Sequence, residues 1–287
     1  MLCELFGYSK QAYYKARTHA RCYADKLKKI KDAVLLIRRQ MPRLGGKKLH
    51  YLLKEGIDSF GVNIGRDKLF TILRQEGLLI VKRKKYTVTT NSKHWMRKYP
   101  NRVRDVTLVR PEQVWVADIT YLNTSNGNGY LHLITDAYSK QIMGYELCNN
   151  LEATSTIKAL QMALKKRKYE DKPLIHHSDR GLQYCSSIYV NLLKSKSIEI
   201  SMTENGDPYE NAIAECVNGI LKDEFGLGER FDCADQARTL TNQSIYNYNM
   251  LRPHLSCNML TPDKMHQQDK IRLKVWSKKS PNIFSNV

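Results

Sequence analysis

The sequence predicts an α/β domain built on a mixed sheet, preceded by all-α modules of helix-turn-helix type. Three observations carry that reading. Residues 1–110 hold 27 Lys/Arg against 8 Asp/Glu, a net of +19, whereas residues 111–287 hold 20 against 20. Up to residue 80 the apolar residues recur at helical spacing; from residue 111 β-branched and aromatic runs come first, then helices and strands in alternation. Three acids, Asp118, Asp179 and Glu215, stand in or beside apolar elements of that second part.

The bulk composition sets limits. With 287 residues and 42% hydrophobic content the chain can build one large or two to three small domains and is too apolar to be disordered. It has no run of 18 apolar residues and no basic, then apolar, cleavable leader, so a cytoplasmic protein is expected. Cysteines at 3, 22, 148, 185, 216, 233 and 257 form no C-x-x-C pair. Reduced thiols are expected, not a zinc finger or a disulfide framework.

Residues 1–25 read as a short helix, a tight turn at Gly7-Tyr8-Ser9, and a second helix capped by Ser9. Residues 26–80 read as a second helix-turn-helix-like module. A helix at 26–40 carries Leu27, Ile30, Val34, Leu35 and Ile37, and Pro42 stops it. A short helix at 47–54 follows Gly45-Gly46. Another starts near Asn63, with Leu69, Ile72 and Leu73 as its stripe and Gly77 at its end. Arg66 and Lys68 are candidate DNA contacts there, set against ordinary exposed charge. Residues 81–110 read as a basic linker. Nine Lys/Arg and no acid lie between 81 and 104, headed by Lys82, Arg83, Lys84 and Lys85, with Tyr86, Trp95 and Tyr99 interleaved. Such a segment orders best along a phosphate backbone, which rewards it through counterion release.

Residues 111–268 form the α/β domain. A strand at 114–121 holds Asp118. The run Thr124 to Gly129, rich in Asn and Gly, predicts a hairpin into strands at 130–136 and 141–148. A helix at 152–168, a short strand ending at Asp179, a helix at 186–196, a strand at 198–202 and helices at 208–225 and 233–250 complete it. Residues 269–287 read as a basic, polar tail. In the penultimate helix Asp207-Pro208-Tyr209-Glu210 is a capped start. Asn211, Glu215, Asn218 and Lys222 then fall on one polar stripe, opposite Ile213, Val217, Ile220 and Leu221. Lys222 is two turns from Glu215, about 10–11 Å along the axis, a place suited to a phosphate contact.

A carboxylate in a buried strand is costly unless a cation neutralises it. Acids from three separate elements supply the hard oxygen ligands that phosphoryl-transfer enzymes use to hold Mg²⁺ or Mn²⁺. His176 and His177 suggest a histidine metal site, but neighbours on an extended segment point oppositely, which favours two structural histidines.

Thirty-five residues separate Asp179 from Glu215. With this spacing, Trp115 to Tyr121, His176 to Tyr184, Asp207 to Glu215 with Lys222, and Tyr246-Asn247-Tyr248-Asn249-Met250-Leu251-Arg252-Pro253-His254 followed by Leu260-Thr261-Pro262 resemble, in order, the motifs of insertion-sequence-three family transposases. The product resembled is the integrase-like one of their second reading frame. Cys216 departs from the larger or basic residue many members carry. The resemblance implies an RNase H-like, retroviral-integrase-like catalytic domain. It implies Asp118, Asp179 and Glu215 as catalytic and metal-binding acids sharing two ions, with DNA strand cleavage and strand transfer as the reaction. It also implies double-stranded DNA as substrate (element terminal inverted repeats and target), a homo-oligomer on DNA, and a first-frame protein or frameshift fusion as partner, with no membrane and a nucleoid-associated, bacterial cytoplasmic location. Another RNase H-like nuclease, a non-catalytic DNA-binding regulator and an inactive remnant of a transposase stand as alternatives.

Overall fold

A computed structural model describes residues 5–55, 64–81, 96–125, 127–204 and 211–273. Expectations for Met1–Glu4, for Lys82, Arg83, Lys84 and Lys85, for the helix start at 207–210 and for the tail from 274 therefore lie outside the described residues. The chain divides into two compact units: residues 1–85 with the short segment 223–226, and residues 86–222 with 227–287. Among the described residues no helix is long and apolar enough to cross a membrane.

In the first unit one helix, α1, runs from Lys10 to Gln40 over 31 residues. Ser9 caps it as expected, its Oγ accepting from the Ala12 amide at 3.1 Å. The break expected between residues 20 and 26 is absent, because no Gly or Pro between 10 and 40 interrupts the hydrogen-bond ladder. Only its C-terminal third is buried, through Ile30, Ala33 and Val34. Helices α2, Gly46–Glu55, and α3, Arg66–Gln75, supply Leu49, Leu53, Leu69, Ile72 and Leu73 to the same core. The chain leaves α3 through Gly77 at φ +65°, with the Leu78 amide bonded back to the Leu73 carbonyl at 2.7 Å, the left-handed cap a glycine provides without strain.

The second unit is built on a sheet. Its strands are β1 Val114–Thr124, β2 Gly127–Asp136, β3 Ile142–Cys148, β4 Ile175–Ser178, β5 Glu199–Met202 and β6 Arg230–Phe231. The order is β3-β2-β1-β4-β5, with β6 pairing the far end of β1. The β1–β2 and β2–β3 pairs are antiparallel; β1–β4 and β4–β5 are parallel. The expected hairpin closes with Thr124 opposite Gly127. Helix α4, Ala153–Lys166, makes the crossover from β3 to β4. Helices α5, Leu182–Cys185, and α6, Ser187–Ser195, join β4 to β5. These three cover one face of the sheet around Trp115, Ala117, Ile134 and Met143. Helix α7, Ala212–Glu224, covers the other, with Ala214 against Val114 and Val116.

Helix α8, Ala234–Met250, finishes the edge at β3. The Asn249 amide donates to the Ile142 carbonyl at 3.0 Å and accepts from its N–H at 2.9 Å, taking the place of another strand. Two further residues of the C-terminal signature are internal, Tyr248 donating to the Lys140 carbonyl and Arg252 lying buried over the Tyr248 ring, whereas Tyr246 and Met250 are exposed. Helix α9, Pro262–His266, ends in a buried histidine.

The basic segment differs from the free linker expected over 81–110. From residue 96 it is docked on the second unit. Met96 and Tyr99 pack on one core cluster and Val103, Val106 and Leu108 on another. The Arg102 amide donates to Ser201 Oγ and the Asn101 amide to Glu204 Oε1, both at 2.9 Å. The segment covers β5, an edge strand whose open backbone groups need such a cover. Its period-free apolar residues carry no strand or helix signal, yet they are enough to anchor it.

Candidate active site

Strand β1 sets the site. It pairs with β4 only as far as Ala117 opposite Ser178, and β4 ends there. Asp118 and Asp179 follow at the next position of each chain segment. Side chains alternate along a strand, so Asp118 shares the face of Val114 and Val116, against which α7 packs. Two asparagines fasten that helix to β1. Asn211 Nδ2 donates to the Ala117 carbonyl at 3.2 Å, and Asn218 Nδ2 donates to Asp118 Oδ2 at 2.7 Å. Glu215 lies between them in sequence, in the first turn of α7, with an exposed side chain. The buried face of α7 is Ala214, Val217, Asn218 and Leu221, while Ile213 and Ile220 are only half-buried. The expected polar stripe is therefore split: Asn211 and Asn218 turn inward, and Glu215 turns outward.

The electrostatics link the three acids. Burial pushes the Asp118 carboxyl up, the charge of Asp179 adds to this and Glu215 adds further, while bonds from the Ile119 backbone and Asn218 oppose; the balance is about 7. Asp179 Oδ1 accepts from the Gly181 amide at 3.0 Å, which ties the acid to the turn that follows it. Tyr184, on α5, is buried nearby; burial first, then Asp179 and Asp118, hold its hydroxyl well above its usual range. His176 bonds the Tyr189 hydroxyl at 2.9 Å and His177 bonds Ser201 Oγ at 2.8 Å, both buried. Burial holds His176 down near 3, so it is neutral and structural.

The donor set fits a hard divalent cation: all oxygen, all anionic, and with one member whose ionisation is opposed by the charge of the other two. Among the described residues no group of three or more His, Cys, Asp or Glu is already gathered to hold an ion. The acids are near enough to feel one another's charge and are not drawn into one cluster, as mutual repulsion between carboxylates favours.

Of the other expected contacts, Lys222 is half-buried on α7, two turns beyond Glu215. In the first unit Arg66 pairs with the neighbouring Asp67 at 2.9 Å, and Lys68 lies 5.1 Å from the centre of the Tyr23 ring. Sequence reasoning missed Asn218 as a contact of Asp118. The signal was its place one turn beyond Glu215 among apolar residues, but nothing in the spacing marks an inward-facing amide.

Known proteins are similar to this chain in sequence. Two families, both described as integrase core domain, match residues 109–208 and 196–262. An uncharacterized 31 kDa protein of insertion element IS600 from Shigella sonnei is 34% identical over 275 residues, 93% of this chain and 99% of that protein. The transposase InsF for insertion sequence IS3A from Escherichia coli strain K12 is 34% identical over 199 residues, 69% of each chain. The chain belongs to the insertion-sequence-three family of transposases. It is accordingly a DDE transposase, an enzyme of the polynucleotidyl transferase class. The α/β unit of this transposase is the integrase core, RNase H-like as the sequence implied. Solved structures that resemble it include the HTLV-2 integrase catalytic core domain in complex with magnesium, 20% identical with a TM-score of 0.45, covering 55% of this chain and 98% of that one.

Proposed function

We propose that Asp118, Asp179 and Glu215 are the three catalytic acids of this transposase and that together they bind two divalent cations, Mg²⁺ or Mn²⁺. The observation that carries this is the geometry: Asp118 and Asp179 each stand one residue beyond the last paired rung of β1 and β4, and Asn218, one turn from Glu215, donates to Asp118 Oδ2 at 2.7 Å. When bound, such ions supply a polarised water or DNA 3′-OH and stabilise the leaving 3′ oxygen. The protein's own residues position and desolvate. The register of β1 with β4 and the Gly181 amide support placing the two aspartates at neighbouring positions, and Glu215 sits exposed in the first turn of the helix that Asn218 ties to Asp118. Asp118, Asp179 and Glu215 would hold the ions between them. No covalent protein–DNA intermediate is required.

The substrate is double-stranded DNA: the terminal repeats of the element and the target. Lys222 contacts phosphate near the acids, while Arg66, Lys68 and Lys82 to Lys85 grip DNA from the basic part of the chain. The protein acts as a homo-oligomer on DNA in the bacterial cytoplasm, at the nucleoid, together with a first-frame protein or as a frameshift fusion. Asp118→Asn is expected to abolish strand cleavage and joining on end-bearing DNA while leaving affinity for those ends nearly intact. Mg²⁺-dependent cleavage retained by this variant would sink the assignment.

A further inference from the structure

Asn218 stands out among the groups around the acids. It is 6% exposed, lies one turn beyond Glu215, and spends its amide on Asp118 at 2.7 Å. Its Oδ1 is buried and meets no hydrogen-bond partner among the described residues. A buried amide with one atom unsatisfied is costly for stability alone, so packing does not account for the choice of residue. Chemistry does. A carboxylate that must present oxygens to a cation has to be held in one rotation, and the donor that holds it must bring no charge. A lysine here would compete with the cation, and an aspartate would add a fourth negative group. A buried leucine would leave the carboxylate free to turn.

Asn218 also acts on a second acid. With Asn211 bonded to the Ala117 carbonyl at 3.2 Å, the two amides fix the position of α7 along β1 across two helical turns. Glu215 lies between them, so its distance from Asp118 is set by the same two bonds.

We infer that Asn218 is a positioning residue for divalent-cation binding: its bond to Asp118 Oδ2 fixes the rotation of that carboxylate and holds Glu215 in step with it. The inference rests on the reading of Asp118 and Glu215 as metal ligands. Partners that orient metal ligands without touching the metal typically change metal affinity by about 10–100-fold when removed.

The test uses the full chain without DNA, titrated with Mg²⁺ and followed by thermal melting, beside cleavage of end-bearing DNA over the same Mg²⁺ range. Asn218→Leu keeps the branched shape and the number of side-chain heavy atoms and removes the donor. It is expected to melt close to wild type without metal, to need about 10–100-fold more Mg²⁺ for half-maximal stabilisation, and to recover cleavage at high Mg²⁺. Should the leucine variant fail to fold, Asn218→Ala is read by the same criteria. Asp118→Asn is the control and is expected to lose Mg²⁺ stabilisation. If it does so while the Asn218 variant keeps a wild-type Mg²⁺ midpoint, the role given to Asn218 is overturned and the acid triad stands. If Asp118→Asn keeps full Mg²⁺ stabilisation, the triad reading fails first and this inference falls with it.

Discussion

Asp118 and Asp179 stand at adjacent positions on neighbouring parallel segments, one residue beyond the last paired rung, Ala117 opposite Ser178. Parallel neighbours are about 4.8 Å apart, so the two carboxylates share a small volume, and part of the pH response of the fold is expected to come from it. Burial, then Asp179, raise Asp118 to about 7, against roughly 3.9 in an unfolded chain. Between these values the folded state keeps a proton that the unfolded chain releases, so this group's contribution to stability falls as pH rises from about 4 to about 7. The metal-free Asp118→Asn variant is therefore expected to melt higher than wild type at pH 8 and no higher at pH 4. Thermal denaturation at both values checks this. A variant less stable than wild type at pH 8 would mean that Asp118 is not destabilised by its surroundings.

Much of the catalytic unit is legible in the sequence itself. The helix expected at 152–168 is Ala153–Lys166, and the strand expected at 198–202 is Glu199–Met202. Period and turn chemistry are local properties, and these elements obey them. Sheet order, the inward turn of Asn218 and the docking of Tyr99 and Val103 depend on what the chain meets across a hundred residues, which no local pattern encodes. The long helix α1 escapes the sequence for a different reason: 1–25 and 26–80 read as separate modules, but no Gly or Pro ends the helix between them. The two-residue strand β6 and the four-residue helix α5 are too short to carry any period.

His266 is the clearest case of a long-range partner. Its Nε2 lies 3.2 Å from Glu112 Oε1, and its Nδ1 lies 2.9 Å from Ser139 Oγ and 3.7 Å from Asp136 Oδ1, all buried. Burial alone would lower its pKa; the neighbouring carboxylates of Asp136 and Glu112 outweigh that and raise it to about 9. A raised histidine stabilises fully below its unfolded value, roughly 6.5, and the stability is lost as pH rises through about 9. Glu112 also accepts from the Lys168 and Tyr169 amides at 2.9 Å, so α9 is fastened to the end of α4 through one carboxylate. Removing one partner of such a buried pair costs about 3–5 kcal/mol. His266→Gln is expected to lose that much at pH 7 in denaturant unfolding, with the gap to wild type narrowing toward pH 10. Parallel curves across pH 7–10 would show that His266 is neutral in the folded protein.

Gly144 of β3 lets the sheet touch α4. A Cβ there would stand 2.0 Å from the Ala159 carbonyl oxygen and 2.8 Å from the Ala163 nitrogen. Both are backbone atoms of a helix, so no side-chain rotation relieves the clash and the helix itself must move. Gly144→Ala is expected to destabilise the fold by about 1–3 kcal/mol or more and to lower activity through the shared sheet, without changing the amino acids at the acid site. A melting temperature equal to that of wild type would mean that α4 is not seated as closely as this.

The two halves of the basic segment are expected to behave differently toward DNA. Arg102 and Arg104 already face Glu199 at 3.3 Å and Glu204 at 3.9 Å, on a stretch anchored to the second unit. Lys82, Arg83, Lys84 and Lys85 are followed by no acid in sequence until Asp105. Replacing these four by Gln is expected to weaken binding to all DNA sequences similarly, because contacts from a run of Lys/Arg to backbone phosphates carry no sequence information. The slope of log K against log salt should flatten by about 0.9 for each phosphate that the variant no longer neutralises. Replacing Arg102 and Arg104 by Gln should change that slope much less, since their charge is partly neutralised within the protein. Binding isotherms at several salt concentrations measure both. If the first variant keeps the wild-type slope, the tract is a passive connection and the electrostatic grip belongs to the helices of the first unit.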